Sequence, residues 1–165
     1  MLTALGPMFE ESDVETAVPG LVSRASGVVL ELGPGTGGQV SRFDRSKIAK
    51  VYGIEPNVGL HAQLRQRIED LGLTDTYELV SASIDDMTEL RSSGIVEGAV
   101  DTILSVQVLC SVTDTNATLR RLYSLLKPGG QLIVYEHVRS KDIVTRFVQG
   151  QCLIVSVITL ACVDG

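Results

Sequence analysis

The apolar run Gly27-Val28-Val29-Leu30-Glu31-Leu32 leads directly into Gly33-Pro34-Gly35-Thr36-Gly37-Gly38, and no other stretch of the chain restricts the fold as much. A short apolar run bounded by glycines reads as a strand buried on both faces, the strand type of a parallel sheet. Parallel strands need long crossovers, so strands and helices should alternate along the chain. They do. Further strands are predicted over 51–55, where Pro56 ends the run, and over 77–82, 100–106 and 131–135. Helices are predicted over 60–71, from the spacing of Leu60, Leu64, Ile68 and Leu71, and over 87–95. Another spans 116–126, from Leu119, Leu122, Leu125 and Leu126, with Asp114 or Thr115 as N-cap. Gly72 fits the C′ position of the first of these, and Lys127-Pro128-Gly129-Gly130 stops the last. A helix is also expected directly after the glycine loop. These elements predict a three-layer α/β/α domain with a parallel sheet of order 3-2-1-4-5 and right-handed crossovers. Residues 1–26 read as an N-terminal helix or linker with an acidic cluster at Glu10, Glu11, Asp13 and Glu15. The core then covers 27–138 and an atypical tail 139–165.

Charge and cysteine usage limit the partners. The net charge of −6 repels a phosphate backbone, so nucleic acid is not expected as a substrate. Arg120, Arg121 and Lys127 are the nearest approach to a basic patch, and at helical spacing they read as a solvated face. Cys110, Cys152 and Cys162 are too few and too scattered for a disulfide framework or a zinc site, which points to a reducing, cytoplasmic setting. Met1 to Pro7 lacks the basic and apolar regions of a signal peptide. The longest apolar run, Cys152 to Val163, is broken by Ser156 and Thr159 and falls short of the roughly 20 residues that span a bilayer.

The glycine loop sits where open α/β sheets bind nucleotides, at the carboxyl end of the first strand. Its glycines fit two patterns. Gly33, Gly35 and Gly38 satisfy the dinucleotide fingerprint, whereas Glu31 with Gly33, Gly35 and Gly37 satisfies E-x-G-x-G-x-G. The acid favours the second pattern. A carboxylate at the end of the first strand suits the amino group of S-adenosyl-L-methionine (SAM) and would repel a pyrophosphate. A helix-dipole partner is the plainer role for Glu31, but the residue lies inside an apolar run where an unpaired charge is costly. Glu55 closes the second strand, where a carboxylate can accept both ribose hydroxyls of an adenosine. It supports an adenosine cofactor without choosing between SAM and a nicotinamide dinucleotide.

Several motifs then line up in order. Val29-Leu30-Glu31-Leu32-Gly33-Pro34-Gly35-Thr36-Gly37 resembles motif I of the class I SAM-dependent methyltransferases, of the methyltransferase type 11 kind. Tyr52-Gly53-Ile54-Glu55-Pro56-Asn57 resembles their second motif, and Asp101-Thr102-Ile103-Leu104-Ser105 their fourth strand. Leu125-Leu126-Lys127-Pro128-Gly129-Gly130-Gln131-Leu132 is similar to the entry to their fifth. A narrower likeness joins Glu55-Pro56-Asn57, Val108-Leu109-Cys110-Ser111-Val112 and Glu136-His137-Val138 to the methyltransferase-like subfamily of animal thiol S-methyltransferases and their fungal relatives. The resemblance implies a SAM cofactor held by Glu31, Gly33, Pro34, Gly35, Gly37, Glu55, Pro56 and Asn57, with Gln107 at the methionine end, and a small, apolar acceptor such as a thiol. It also exposes a departure. Many relatives carry Asp where this chain has Ser83, so adenine is left to backbone groups, Ser83 or Asp85, with Ile84 as an apolar wall. A simple polar loop is an equal reading of Ser83 and Asp85.

No side chain is assigned to catalysis. Methyl transfer is an in-line displacement in which positioning supplies much of the acceleration. Cys110 reads first as a small buried hydrophobe, His137 as a structural histidine at the edge of the sheet ahead of an acceptor-side base, and His61 as a surface residue. The family's fold ordinarily ends in an antiparallel hairpin. The Cys152–Val163 run has no turn residue, so one edge strand or a short helix is expected in its place, with an uncovered sheet edge open to self-association. Two rivals follow from these features. One is a truncated, non-catalytic SAM-binding protein, and the other a nicotinamide-dependent oxidoreductase.

Overall fold

The computed structural model describes residues 17–138 and the strand 154–161, with side chains through residue 136. Its centre is one six-stranded sheet of order β3-β2-β1-β4-β5-β6. The strands are β1 (Gly27–Leu32), β2 (Ile48–Ile54), β3 (Tyr77–Val80), β4 (Val100–Val106), β5 (Leu126–Val138) and β6 (Ile154–Ala161). The first five run parallel, in the order 3-2-1-4-5 expected from the sequence. The sixth is antiparallel to β5, with Gln131 opposite Ala161 and Val138 opposite Ile154. Within the apolar run of the tail, residues 154–161 form one strand, and β5 is paired along its outer edge rather than left open.

Helices lie on both faces. On one face α1 (Val18–Val22) and α2 (His61–Asp70) bury Val18, Val22, Leu64 and Ile68 against Val29, Val51, Leu104 and Ile133 of the sheet. On the other, α3 (Met87–Ser92) and α4 (Thr115–Leu125) bury Leu90, Leu122 and Leu125 against Leu30, Ile54, Ile103 and Leu132. Alternate residues of β1 thus feed two different cores, which is why its sequence is apolar almost throughout. Asp114 caps α4 by accepting the Ala117 amide at 3.0 Å. Gly72 ends α2 at φ +62, and the Leu73 amide reaches back to Ile68 O at 2.9 Å.

The structure departs from expectation in several places, three of them in the framework of the fold. No α-helix follows the glycine loop, only a 3-10 turn at Val40–Arg42. Asp44 explains why: its side chain accepts the Ser46 amide and hydroxyl, at 3.1 and 2.6 Å, a local alternative to a helical turn. Second, β5 begins at Leu126, which pairs with Val100. Lys127-Pro128-Gly129-Gly130 does end α4, but it does so as an irregularity inside the strand, with Gly129 at φ +76. Third, His61 is 6% exposed and so is not a surface residue. Its ring folds back under the preceding turn, with Nε2 2.8 Å from the carbonyl of Glu55.

At the amino edge of the sheet Asp101, Lys127 and Thr102 are all partnered. Asp101 takes the Val28 amide at 2.8 Å, and the Lys127 ammonium meets both its oxygens at 2.8 Å. Burial opposes ionisation there, but Lys127 and the Val28 amide outweigh it and hold the Asp101 carboxyl below its ordinary range. Thr102, fully buried, exchanges hydrogen bonds with the Ser26 backbone at 2.9 and 3.1 Å. This cluster ties β1, β4 and β5 together at the end away from the glycine loop.

Candidate functional site

The carboxyl edge is built differently. Gly33, Gly35 and Gly37 all adopt left-handed backbone, with φ of +59, +59 and +89. Gly38 does not, so the alternation of the E-x-G-x-G-x-G pattern is the one the backbone uses. The three glycines are needed for different reasons. A Cβ on Gly33 would lie 2.8 Å from a methyl of Val108, and one on Gly37 would lie 2.9 Å from Leu64. A Cβ on Gly35 would meet nothing within 4 Å. Gly35 is therefore the position where the loop faces open space, and a side chain there would project into it. Its amide donates to Glu55 Oε2 at 3.0 Å, while Pro34 O accepts the Gly37 amide at 2.9 Å to close the turn.

Glu55 stands at the end of β2, 6% exposed, between the glycine loop and the following turn. Its second oxygen accepts the Asn57 amide at 2.8 Å. The Asn57 side chain is occupied in capping the turn, taking the Gly59 amide at 3.0 Å. The two amide bonds leave each Glu55 oxygen a further lone pair.

Glu31 lies deeper, 2% exposed, and sits beside a residue that the sequence reading passed over. The Tyr77 hydroxyl donates to Glu31 Oε2 at 2.7 Å. Gly53 makes this contact: a Cβ there would be 2.2 Å from the Tyr77 oxygen. The pattern Tyr52-Gly53-Ile54 carried the signal, because a glycine inside a buried strand marks a close approach by another group. Burial pushes the Glu31 carboxyl up to about 7, against the opposing pull of the Tyr77 hydrogen bond. The same burial, and the nearby Glu31 charge, raise Tyr77 well above its ordinary value.

Beside the loop is a cavity of about 130 Å³, lined by Gly33, Ile54, Pro56, Ser83, Ile84 and Val108 among others. It brings together four residues singled out from the sequence, Gly33, Pro56, Ser83 and Ile84, and it includes Asp85 as well. Ser83 Oγ accepts the Asp85 amide at 3.2 Å, and the Asp85 carboxylate is ion-paired with Arg121 of α4. Arg121 and Lys127 are thus both matched to acids rather than gathered in a basic patch. The far wall is the loop after β4, represented by Ser111, Val112 and Thr113.

Gln107 opens that loop and is the one non-glycine at positive φ, +58, among the described residues. Its amide donates to Tyr135 O at 2.8 Å, which extends the β4–β5 ladder by one step past the strand. Backbone strain of this kind costs of order 1 kcal/mol or more and clusters at functional sites. Gln107 does not line the cavity. Cys110 is exposed, not buried as its residue type suggested, because it sits on the outer side of the 3-10 turn Leu109–Ser111. The side chain of His137, residues Cys152 and Cys162, and the acidic cluster at Glu10–Glu15 lie outside the described residues.

Comparison with known proteins agrees with this geometry. The model of a family described as "Methyltransferase domain" matches residues 30–134. Among curated proteins, the ubiquinone/menaquinone biosynthesis C-methyltransferase UbiE of Escherichia coli is 30% identical over 115 residues, covering 68% of this chain and 43% of UbiE. The match thus spans less than half the length of that relative. Among solved structures, the [4+2]-cyclase SpnF superposes with a TM-score of 0.65 at 21% identity, over 81% of this chain and 46% of SpnF. A SAM-dependent methyltransferase from Aquifex aeolicus does so with a TM-score of 0.62 at 15% identity, over 84% and 76%. At such identities the likeness speaks for architecture alone. With the family match it is enough: the chain belongs to the methyltransferase domain family and has the class I, Rossmann-like methyltransferase fold. SAM is the cofactor this membership implies, and the nicotinamide-dependent rival is not favoured. Among the described residues no helix is long and apolar enough to cross a membrane.

Proposed function

We propose that the chain transfers the methyl group of SAM to a small, apolar acceptor, a thiol or a similar nucleophile. Gly35 is the observation that carries the cofactor half of this reading. It combines left-handed backbone, open space beyond its Cα and an amide held by Glu55. A loop so shaped lets a ligand lie against the main chain. Gly33, Pro34, Gly35 and Gly37 would form that cradle. Glu55 would accept the ribose hydroxyls through its remaining lone pairs. Pro56, Ser83 and Ile84 suit the adenine, on the cavity they share. Asn57 would act through its amide on Glu55, Glu31 would face the methionine ammonium, and Gln107 the methionine end. When bound, SAM supplies a methyl on a positively charged sulfur, a strong electrophile needing only an aligned nucleophile.

The thiol preference rests on the likeness of Glu55-Pro56-Asn57, Val108 to Val112 and Glu136-His137-Val138 to the thiol S-methyltransferase subfamily. UbiE, by its name, methylates carbon, so the attacking atom is the point to test. Cytoplasmic residence and self-association, now through the outer edge of β6, belong to the same reading. Titration calorimetry with SAM and with NAD tests the cofactor. Glu55→Ala should weaken SAM binding by about 1–3 kcal/mol, through loss of a charged acceptor. Unchanged affinity in a folded variant sinks the ribose assignment. A screen with isotope-labelled SAM over thiols, phenols and amines then identifies the acceptor class.

A further inference from the structure

Glu136, near the end of β5, is 6% exposed, and its side chain is given no role in the cofactor reading above. A buried carboxylate is expensive unless its charge is met. Its partners among the described residues all crowd onto one oxygen: Oε1 accepts the Ser105 hydroxyl at 2.8 Å, the Val108 amide at 2.8 Å and the Leu109 amide at 3.0 Å. Ser105 is itself fully buried in β4, so one end of this arrangement is fixed in the sheet. The other end is the loop after β4, which has just passed through the strained Gln107. Val108 packs where Gly33 has no Cβ and lines the cavity, and Ser111, Val112 and Thr113 of the same loop line it as well.

We propose that Glu136 is a positioning residue for the cofactor cleft: its carboxylate anchors the loop after β4 to the sheet and thereby holds Val108 against the glycine turn. The proposal rests on the SAM reading of the cleft. Its role is separate from those of Glu31, within β1, and Glu55, which follows β2. Glu136 acts through two backbone amides and needs no contact of its own with the ligand. Replacing it by a side chain of similar volume without an acceptor frees both amides while keeping the core filled. Glutamine keeps one oxygen that can accept the same three donors.

The test compares Glu136→Met with Glu136→Gln in the full chain, by titration calorimetry with SAM and by amide hydrogen exchange. The methionine variant should bind SAM at least about tenfold more weakly, the scale of hydrogen bonds to a charged group, and the glutamine variant within about threefold of the parent. Exchange protection at Val108 and Leu109 should be lost in Glu136→Met and kept in Glu136→Gln, with the β1 and β2 amides protected in both. If both variants bind SAM as the parent does, or the two amides stay protected in Glu136→Met, the proposal is overturned. A parent chain that does not bind SAM overturns the cofactor reading instead, and the exchange data then still decide whether Glu136 holds the loop.

Discussion

The two edges of the same sheet solve opposite problems. At the amino edge, Asp101 is matched by Lys127 and the Val28 amide, and Thr102 by the Ser26 backbone. Charges there are neutralised and donors are used. At the carboxyl edge three acids collect: Glu31, Glu55 and Glu136 are all buried, and their partners among the described residues are hydroxyls and amides. Gln107, the one non-glycine with left-handed backbone among the described residues, lies in the same region. An edge made for stability alone would not keep three buried acids beside the strained backbone of Gln107. The difference identifies which end of the molecule is organised around something other than itself.

The comparison breaks most sharply at Gly35. Gly35→Val should reduce SAM affinity by about a hundredfold or more, because a side chain would enter the open space and the β-branched residue resists φ +59. The backbone strain should cost the fold only about 1–2 kcal/mol. Calorimetry beside a thermal melt reads both, and normal binding would remove the glycine loop as the cradle.

Next in size is the pH dependence of Glu31. Its carboxyl titrates near 4.5 when unfolded and near 7 when folded. Between these values the folded chain keeps a proton that the unfolded chain has lost. Its contribution is therefore fully present below about pH 4.5 and declines as pH rises, by roughly 3 kcal/mol once pH passes 7. A ligand ammonium prefers the ionised carboxylate, so SAM affinity should rise over the same window. Urea melts at pH 5 and pH 8 should show the decline in the parent and lack it in Glu31→Gln. An equal pH slope in both proteins would show that Glu31 is not the titrating group.

The smallest effect belongs to the other edge. Asp101→Asn should cost about 1–2 kcal/mol of stability, by weakening the bonds to Lys127 and Val28, and should leave SAM affinity unchanged. A shift in affinity comparable to that of Glu55→Ala would mean that the two edges are coupled.

How much of this was legible in the sequence depended on the range of the interaction involved. The glycine turn, Glu55 and the strand order follow from local pattern and from the handedness of crossovers, and all three can be read along the chain. The helix expected after the loop failed because Asp44 caps a competing turn, a contest decided within three residues. His61 and Cys110 were misplaced because burial depends on what folds over a residue, not on its type. The contacts of Tyr77 with Glu31 and of Ser105 with Glu136 span long stretches of chain, and no periodicity announces them. Gly53 was the exception, a local mark left by a distant ring.

Glu55 joins two of these strands of reasoning. The carboxylate proposed to receive the ribose is the same one that fastens Gly35 and Asn57 in place. Recognition and framework are then a single chemical group, with two of its lone pairs turned inward and two outward. Such an acid cannot be adjusted for a different sugar without loosening the loop that frames it. On the ribose reading, the adenosine end of the cleft is thereby the inflexible part of the design, and room for variation falls to the loop after β4.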